Sequence, residues 1–322
     1  MQQNNLAITY EYAKEFSKLP ENDIQEYLEK ANALRIKFKQ NNVFTCGIIN
    51  AKSGFCSQDC AFCAQSIHHQ TNAQTYPLYD RQTIVEQALG FEDSGASHFS
   101  IVTSGFMLDS CEMDTICNAI ISIKQRTNLT LCTSLGTISS QMARKLKQSG
   151  VTNYHHNLET AHSFFDKICT THDYKDDIET IHLAKNEGLR VCCGGIMGLG
   201  ESWEQRIELA FLLKELNVDS IPINFLNPIP GTKLEKQPIM SSSTALKCIA
   251  LYRLIHPDKD IVVCGGREIT LKDDQSQLFF AGANGLMIGN YLTTPGQQIE
   301  TDLAMIQNLG LRVEELGSNL EL

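Results

Sequence analysis

The sequence predicts an α/β protein of the (β/α)8 TIM-type barrel class, with helices before the first strand. Short apolar runs alternate with helical patterns, and eight such runs leave room for a helix between neighbours. The length of 322 residues suits one large barrel. No GxGxxG motif follows the first run, so the doubly wound sheet that the same alternation permits is the less favoured alternative.

Two amphipathic helices are expected at the amino terminus, the second beginning near Pro20 and continuing through Leu34. β-Branched and apolar residues mark the strands. We place the eight strands at 43–49, 98–103, 129–134, 152–157, 190–196, 219–224, 260–264 and 284–288. The pattern indicates one domain over 1–322, with the amino-terminal helices in 1–40, the barrel in 41–296 and a carboxyl-terminal helix and tail in 297–322.

The composition argues against several classes of protein. The chain has 27 Lys and Arg against 37 Asp and Glu, and its net charge of −10 disfavours sequence-independent binding to nucleic acid. No stretch approaches the ~20 apolar residues of a membrane span, and the segment MQQNNLAITYEYAKEF lacks a charged region followed by an apolar core. We therefore expect a cytoplasmic protein that acts on a small substrate.

The longest insertion into the alternation follows the first strand directly, where a barrel carries functional loops. It begins NAKSGFCSQDCAFCAQS and holds Cys56, Cys60 and Cys63 in a C-x3-C-x2-C pattern. A 4Fe-4S cluster usually takes four thiolates, so three close ligands would leave one iron open to a small molecule. Zinc is the main alternative, with His68 or His69 as fourth ligand, although structural zinc prefers paired C-x2-C units.

The triplet, with Phe62 before its last cysteine, resembles the signature of radical S-adenosylmethionine enzymes. Within that superfamily the chain is similar to the biotin synthase family from about residue 20 to 315. Six segments in the family's order carry the resemblance. They are SGFCSQDCAFCAQS, YHHNLET with the later TTHDY, CCGGIMGLGES, SIPINFLNPIPGT, CGGRE and AGANGLMIGNYLTTPG.

The resemblance implies conversion of dethiobiotin to biotin by sulfur insertion. A 4Fe-4S cluster on Cys56, Cys60 and Cys63 and S-adenosyl-L-methionine would yield a 5′-deoxyadenosyl radical that abstracts hydrogen, which is cofactor chemistry that no side chain performs. An auxiliary iron-sulfur cluster would donate the sulfur. Family analogy further implies a flavodoxin or ferredoxin as electron donor, and a homodimer.

The cofactor and substrate residues follow from the same segments. Alternation along YHHNLET puts His155, Asn157 and Glu159 on one side, facing the lumen, and His156 on the other. The run GGIMGLGE ends the fifth strand, and its glycines would let the cofactor approach the backbone closely. By resemblance, the cofactor-binding residues are Phe62, Asn157, Glu159, Gly194, Gly195 and Ile196, and the substrate-binding residues are Asn157, Asn224, Thr293 and Thr294.

Two polar groups after later strands suit the substrate. The amide of Asn224 can donate one hydrogen bond to the ureido group of dethiobiotin and accept another, as the family uses this residue. Thr293 and Thr294 resemble the family's pair that holds the substrate carboxylate. Two Thr before Pro295 can instead start a turn.

Two residues depart from the family near the expected cofactor site. Asp177 stands where the family has an arginine, which reverses a charge and puts the ribose contacts in doubt. Glu159 stands where better-known members have Asp, a change of one methylene.

The auxiliary cluster is where the sequence departs furthest. Better-known members hold it with three barrel cysteines and an arginine, to which Cys132, Cys192 and Arg267 correspond, but the position on the second strand is Ser100. An alcohol is a poor ligand for iron at neutral pH. We therefore expect Cys46, on the neighbouring first strand, to supply the missing thiolate, with the cluster type left open.

The sequence also predicts the environments of the remaining cysteines. Cys264 is a further candidate ligand, and Cys193 should point away from the lumen because it neighbours Cys192 on one strand. Four others are expected to be ordinary buried thiols: Cys111, Cys117, Cys169 and Cys248.

Two alternative functions stay open. One is another radical S-adenosylmethionine reaction on the same barrel, of the hydrogenase-cofactor maturase or mutase type, which Ser100 and Asp177 keep in consideration. The other is a non-catalytic iron-sulfur or zinc protein, which would not need the polar residues Asn157, Glu159 and Asn224 in the lumen.

Overall fold

The first strand pairs with both the second and the ninth, and these two pairings close a wholly parallel sheet into a barrel. The computed structural model describes residues 7–314. The expected fold class is confirmed. The strands are β1 (Asn42–Lys52), β2 (His98–Thr103), β3 (Thr130–Ser134), β4 (Asn153–His155), β5 (Arg190–Cys192), β6 (Gly195–Met197), β7 (Ser220–Phe225), β8 (Asp260–Val263), β9 (Gly285–Ile288) and β10 (Arg312–Val313).

Helices connect the strands and cover the outside of the barrel. Both amino-terminal helices are found where the sequence predicts them. The helices are α1 (Tyr10–Lys18), α2 (Gln25–Lys39), α3 (Arg81–Asp93), α4 (Ser110–Lys124), α5 (Ser140–Ser149), α6 (His162–Phe165), α7 (Tyr174–Asn186), α8 (Trp203–Glu215), α9 (Ser242–Ile255), α10 (Arg267–Leu271), α11 (Gln277–Phe280) and α12 (Ile299–Asn308). Within residues 7–314, none of them combines the length and the apolarity that a membrane span requires.

Each of the eight expected strands overlaps an observed strand, with two notable differences. The run expected over 190–196 is divided into β5 and β6, and the run expected over 152–157 ends at His155. The short β10 pairs with the start of β1 and was not expected. The ends of the predicted domain, residues 1–6 and 315–322, lie outside the described residues.

Gly194, in the gap between β5 and β6, lies against the backbone of β7. A Cβ atom there would lie 1.9 Å from the carbonyl oxygen of Pro222 on β7. The two backbones can approach this closely only if residue 194 has no side chain. Gly194 is therefore required by strand packing, independently of any cofactor.

Alternate side chains of each strand point into the lumen, as the period of two demands. On β1, Phe44, Cys46 and Ile48 line the lumen, whereas Val43 and Ile49 belong to the apolar layer between sheet and helices. Thiols, imidazoles and amides line the lumen beside apolar side chains. The candidate functional site therefore includes the interior of the barrel.

The amino-terminal helices are bound to the outer layer by specific contacts. The Tyr10 ring packs edge-on against Phe211 of α8, with ring centroids 5.2 Å apart. Lys247 of α9, 2% exposed, donates to the carbonyl oxygens of Ser17 and Leu19 at 2.8 and 2.6 Å. Two of the three N–H groups of this buried ammonium thus satisfy carbonyl oxygens at the end of α1.

We predict that Gly194→Ala destabilises the fold by roughly 1 to 3 kcal/mol or more, because the atom it meets is backbone and cannot rotate away. Gly90→Ala on α3 is the matched control, since a Cβ there meets nothing within 4 Å. The control should gain roughly 0.5 to 1 kcal/mol from helix propensity. Urea unfolding of both variants measures this, and equal stability of the two would refute the steric argument.

Candidate active site

A cavity of about 470 Å³ extends from the lumen to the carboxyl ends of the strands. Most residues that the sequence singles out lie in its wall. These are Cys46, Cys56, Cys60, Phe62, Cys63, Cys132, Asn157, Glu159, Cys192, Ile196, Asn224, Thr293 and Thr294. Gly194, Gly195 and Arg267 do not line it.

The cysteine triplet lies on the long loop between β1 and α3, at the mouth of the cavity. Cys56, Cys60 and Cys63 are partly exposed and form no disulfide. Burial raises the pKa of the Cys63 thiol to about 11. A metal centre would have to displace protons from such thiols, as is usual when thiolates bind metals.

The loop is fixed to the segment after α6 by a buried carboxylate, Asp59. Its two oxygens accept hydrogen bonds from the backbone N–H and the hydroxyl of Thr170, at 2.8 and 2.7 Å. Burial alone would raise the pKa of Asp59, but these bonds outweigh it and hold the pKa below its usual range. The sequence analysis missed this contact, although both partners lie in the family segments CSQDC and TTHDY.

The three thiols fit an iron-sulfur cluster better than a single ion. No group of three or more His, Cys, Asp or Glu side chains within residues 7–314 converges closely enough to hold one metal ion. A cluster needs no such convergence, because its thiolates bind different irons. His68 and His69 turn ring nitrogens to the carbonyl oxygens of Ser57 and Cys63, at 3.0 and 2.8 Å, and neither lines the cavity.

Asn157 and Glu159 meet at the end of the fourth strand. The Asn157 amide donates to Glu159 at 3.3 Å and accepts from the N–H of Gly194 at 3.1 Å. Glu159 has a left-handed backbone, with φ of 61°, and its carbonyl accepts from the N–H of Ile196 at 2.8 Å. A Cβ at Gly195 would lie 2.4 Å from that carbonyl oxygen, so this glycine also serves backbone packing.

In the segment YHHNLET, the predicted side of the strand is correct for His155, Asn157 and Glu159 and wrong for His156. His155, Asn157 and Glu159 line the cavity, and Tyr154 and Leu158 are buried in the apolar core. His156 lines the cavity as well. Alternation applies only within a strand, and β4 has already ended at His155.

Asp177 is buried between two imidazoles. His156 Nε2 lies 2.8 Å from one carboxylate oxygen and His172 Nε2 lies 3.2 Å from the other. Burial alone would lower the pKa of His172, but its hydrogen bonds to Asp177 and Cys169 outweigh this and raise the pKa to about 10. The reversed charge that the sequence shows is therefore compensated by a cationic imidazole that the sequence analysis missed.

The residues expected to bind the substrate line the cavity, but the Asn224 amide already forms hydrogen bonds within the protein. Its oxygen accepts from the N–H of Gly265 at 3.0 Å, and its nitrogen donates weakly to the carbonyl of Gly195 at 3.4 Å. One N–H and one oxygen lone pair remain for a ligand. Thr293 and Thr294 line the outer part of the cavity.

Four thiols face the lumen below this site. Cys46, Cys132 and Cys192 are joined there by Cys264, which follows β8. Burial, with the neighbouring thiols of Cys264 and Cys192 adding to it, raises the pKa of Cys46. Burial also raises the pKa of Cys192 to about 12.

Ser100 lies in the lumen too, but Arg267 does not, which contradicts the expectation from the sequence. Arg267 begins α10 directly after Gly266, whose φ of 79° turns the chain away. Its guanidinium is fully buried and lies 2.6 Å from the Asp302 carboxylate. The arginine that does line the lumen is Arg190 of β5.

The other cysteines lie in three different environments. Cys117, Cys193 and Cys248 are buried thiols in the apolar core, as expected. Cys111 is exposed, so the expectation of burial is wrong there. Cys169 is buried, but its sulfur lies 3.8 Å from that of Cys60 and lines the cavity, so it is not an ordinary core thiol.

Family models match two segments of the chain. Residues 51–213 match the Radical SAM superfamily, and residues 222–312 match the Biotin and Thiamin Synthesis associated domain. Together with a closed parallel barrel and a three-cysteine loop at its mouth, the first match defines a radical S-adenosylmethionine enzyme.

Relatives narrow the class to one family. A biotin synthase of Syntrophus aciditrophicus is 50% identical over 302 residues, which cover 94% of this chain and 93% of the relative. One of Geobacter sulfurreducens is 51% identical over 304 residues, covering 94% and 92%. The chain belongs to the biotin synthase family, whose reaction is the insertion of sulfur into dethiobiotin.

Solved structures show the same fold at low identity. Methylornithine synthase gives a TM-score of 0.84 at 18% identity, covering 97% of both chains. HydG, a maturase of the [FeFe]-hydrogenase, gives 0.82 at 16% identity, covering 96% of this chain and 72% of the other. At this low identity, the structural similarity supports the barrel fold alone. It gives no support to the alternative reactions.

We predict that Glu159 makes the stability of the cofactor-free chain depend on pH. Burial first, and then the nearby charge of Asp177, raise the pKa of Glu159 from its ordinary 4.5 to about 8. Between these values the folded chain holds a proton that the unfolded chain has released, so stability falls as pH rises and levels off above about 8.

Urea unfolding across this range should show the loss in the wild type and a flatter profile in Glu159→Gln. Glu86→Gln, an exposed position on α3, is the control and should keep the wild-type profile. A Glu159→Gln profile parallel to that of the wild type would show that this carboxyl is not the responsible group.

Proposed function

We propose that this chain converts dethiobiotin to biotin with Cys56, Cys60 and Cys63 holding a 4Fe-4S cluster at the mouth of the barrel. The observation that carries the proposal is that the triplet, the polar residues of the fourth and sixth predicted strands and four lumen thiols all line one cavity. When bound with S-adenosylmethionine, the cluster supplies the electron that yields a 5′-deoxyadenosyl radical.

The protein's own part is to position the cofactor and to exclude water. Phe62 and Ile196 give the mouth an apolar wall, and Asn157 and Glu159 present polar atoms beside it. Because Glu159 is buried and its pKa is raised to about 8, it can offer an O–H as well as accept a hydrogen bond near neutral pH. The closed barrel limits access of water and stray hydrogen donors.

The substrate would lie between the mouth and the lumen thiols. The free N–H and lone pair of Asn224 suit the N–H and C=O groups of a ureido ring. Thr293 and Thr294, further out, would hold the carboxylate at the other end of the molecule. Asn157 completes the contacts from the opposite wall.

We further infer that the auxiliary cluster is held by Cys46, Cys132 and Cys192, with Cys264 in place of Arg267. All four thiols face the lumen, and burial raises the pKa of each, so they are held as neutral groups ready to exchange protons for iron. The guanidinium of Arg267 forms a salt bridge with Asp302, so we exclude Arg267 from the ligands of the auxiliary cluster.

Four further points belong to the proposal. The chain would work as one domain over 1–322, which the β6–β7 pairing supports because it joins the two segments that the family models match. A flavodoxin or ferredoxin would supply electrons near the exposed Phe55, beside Cys56. A homodimer and a cytoplasmic location complete the proposal.

The ligand set is tested by Cys46→Ser and Cys264→Ser after anaerobic reconstitution with iron and sulfide. Each variant should lose the iron of one cluster and stop forming biotin, yet still release 5′-deoxyadenosine from S-adenosylmethionine. Cys193→Ser, whose thiol points into the core, is the control and should keep both clusters. If Cys46→Ser keeps the iron of both clusters, the proposed ligand set is refuted. If only Cys264→Ser keeps the iron of both clusters, the ligand set is reduced to Cys46, Cys132 and Cys192.

Asn224→Leu should weaken dethiobiotin binding by roughly 1 to 3 kcal/mol, because buried ureido groups lose their partners. Since Asn224 also accepts from Gly265, the thermal midpoint and iron content must be compared with the wild type. Asn118→Leu, an exposed position on α4, is the control. Undiminished binding in calorimetry by a folded Asn224→Leu would show that this amide does not read the ureido ring.

A further inference from the structure

Cys60 has a close thiol neighbour that the proposed reaction does not use. The sulfur of Cys169 lies 3.8 Å from that of Cys60, although the two residues are separated by most of three βα units. Cys169 is 2% exposed, whereas Cys60 is partly open to the cavity. The pair therefore combines one accessible thiol with one sheltered thiol.

The two segments are bound together by contacts that do not depend on either sulfur. The N–H of Ala61 donates to the carbonyl of Ile168 at 2.8 Å. Asp59 accepts two hydrogen bonds from Thr170, and the N–H of Asp59 donates to the hydroxyl of Thr171 at 3.1 Å. These contacts flank Cys60 and Cys169, so the thiols stay adjacent whether or not Cys60 binds iron.

We propose that Cys60 and Cys169 form a reversible disulfide when the cluster is lost under oxidising conditions. The oxidant is the disulfide of a small thiol, RSSR. The two cysteine thiols give up two electrons and two protons, the S–S bond of RSSR breaks, one S–S bond forms between Cys60 and Cys169, and two RSH are released.

The order of the two exchanges follows from exposure. Cys60 meets the small disulfide first and carries the mixed disulfide, and Cys169 then attacks the Cys60 sulfur and displaces the second RSH. The sulfurs must close from 3.8 Å to about 2.05 Å, a movement that side-chain rotation can supply. Cys169 thus acts as a resolving cysteine.

The disulfide has a defined consequence for the enzyme. A sulfur in a disulfide cannot ligate iron, so the oxidised chain cannot take up the cluster until a dithiol reduces it. The same bond keeps Cys60 from passing to sulfinic acid, which ordinary reductants do not reverse. The inference rests on the proposed role of Cys60 as a cluster ligand.

The test starts from the wild-type holoenzyme, treated without oxygen with an iron chelator and glutathione disulfide. Free thiols are then alkylated, and a digest is mapped by mass spectrometry without reduction. A peptide pair joined through Cys60 and Cys169 is expected, and omission of the chelator should prevent it. Cys169→Ser should instead carry glutathione on Cys60, while Cys117→Ser, a buried thiol on α4, should keep the joined pair.

Several results would overturn the proposal. They are a pairing of Cys60 with Cys56 or Cys63, a stable glutathione adduct on Cys60 in the wild type, or a joined pair formed with no loss of iron. The mapping does not use biotin formation, so its failure is separate from a failure of the proposed reaction.

The oxidation state of Cys60 after peroxide provides a second readout. After the iron is chelated and hydrogen peroxide is added, peptide mapping should find Cys60 of the wild type joined to Cys169. In Cys169→Ser, Cys60 should carry sulfinic acid, because that variant lacks the thiol that would displace water from the sulfenic acid. Equal amounts of sulfinic acid on Cys60 in the two proteins would contradict the protective role.

Discussion

The hydrogen bonds between β1 and β9 are the constraint on which the site depends. They close the sheet, so every strand has two neighbours and every second side chain faces a common lumen. Because all strands run parallel, their carboxyl ends also meet at one rim. Thiols from β1, β3 and β5 therefore share one space, and the loops that carry cofactor residues surround one mouth.

At that mouth, the protein fixes the cysteine loop with its own polar groups. Asp59 accepts hydrogen bonds from the segment after α6, which places the triplet opposite the end of the fourth strand. A charged acceptor gives such bonds greater strength than a neutral one. The loop is thus held by contacts that involve none of the three cysteines, and the same contacts bring Cys169 close to Cys60.

The strands and the faces of their side chains are predicted well from the sequence, because both depend on local pattern. The direction that the chain takes beyond the end of a strand is predicted less well. Eight strands and the inward parity of Cys46, Cys132 and Cys192 follow from alternation, which is a backbone property. His156 and Arg267 are placed wrongly because each lies just beyond a strand, and Gly266 turns the chain by adopting a left-handed conformation. The proximity of Cys169 to Cys60 is a tertiary contact that no local pattern encodes.

Asp177 shows how a departure from the family can be absorbed by its surroundings. An uncompensated carboxylate that is 5% exposed would be costly. Hydrogen bonds from His156 and His172 offset the burial and lower the pKa of Asp177, while the pKa of His172 rises to about 10. The cation at this corner of the cavity is therefore an imidazolium whose position depends on Asp177. The negative charge of Asp177 is thus compensated within the protein, and the carboxylate holds the imidazolium in the wall of the cavity.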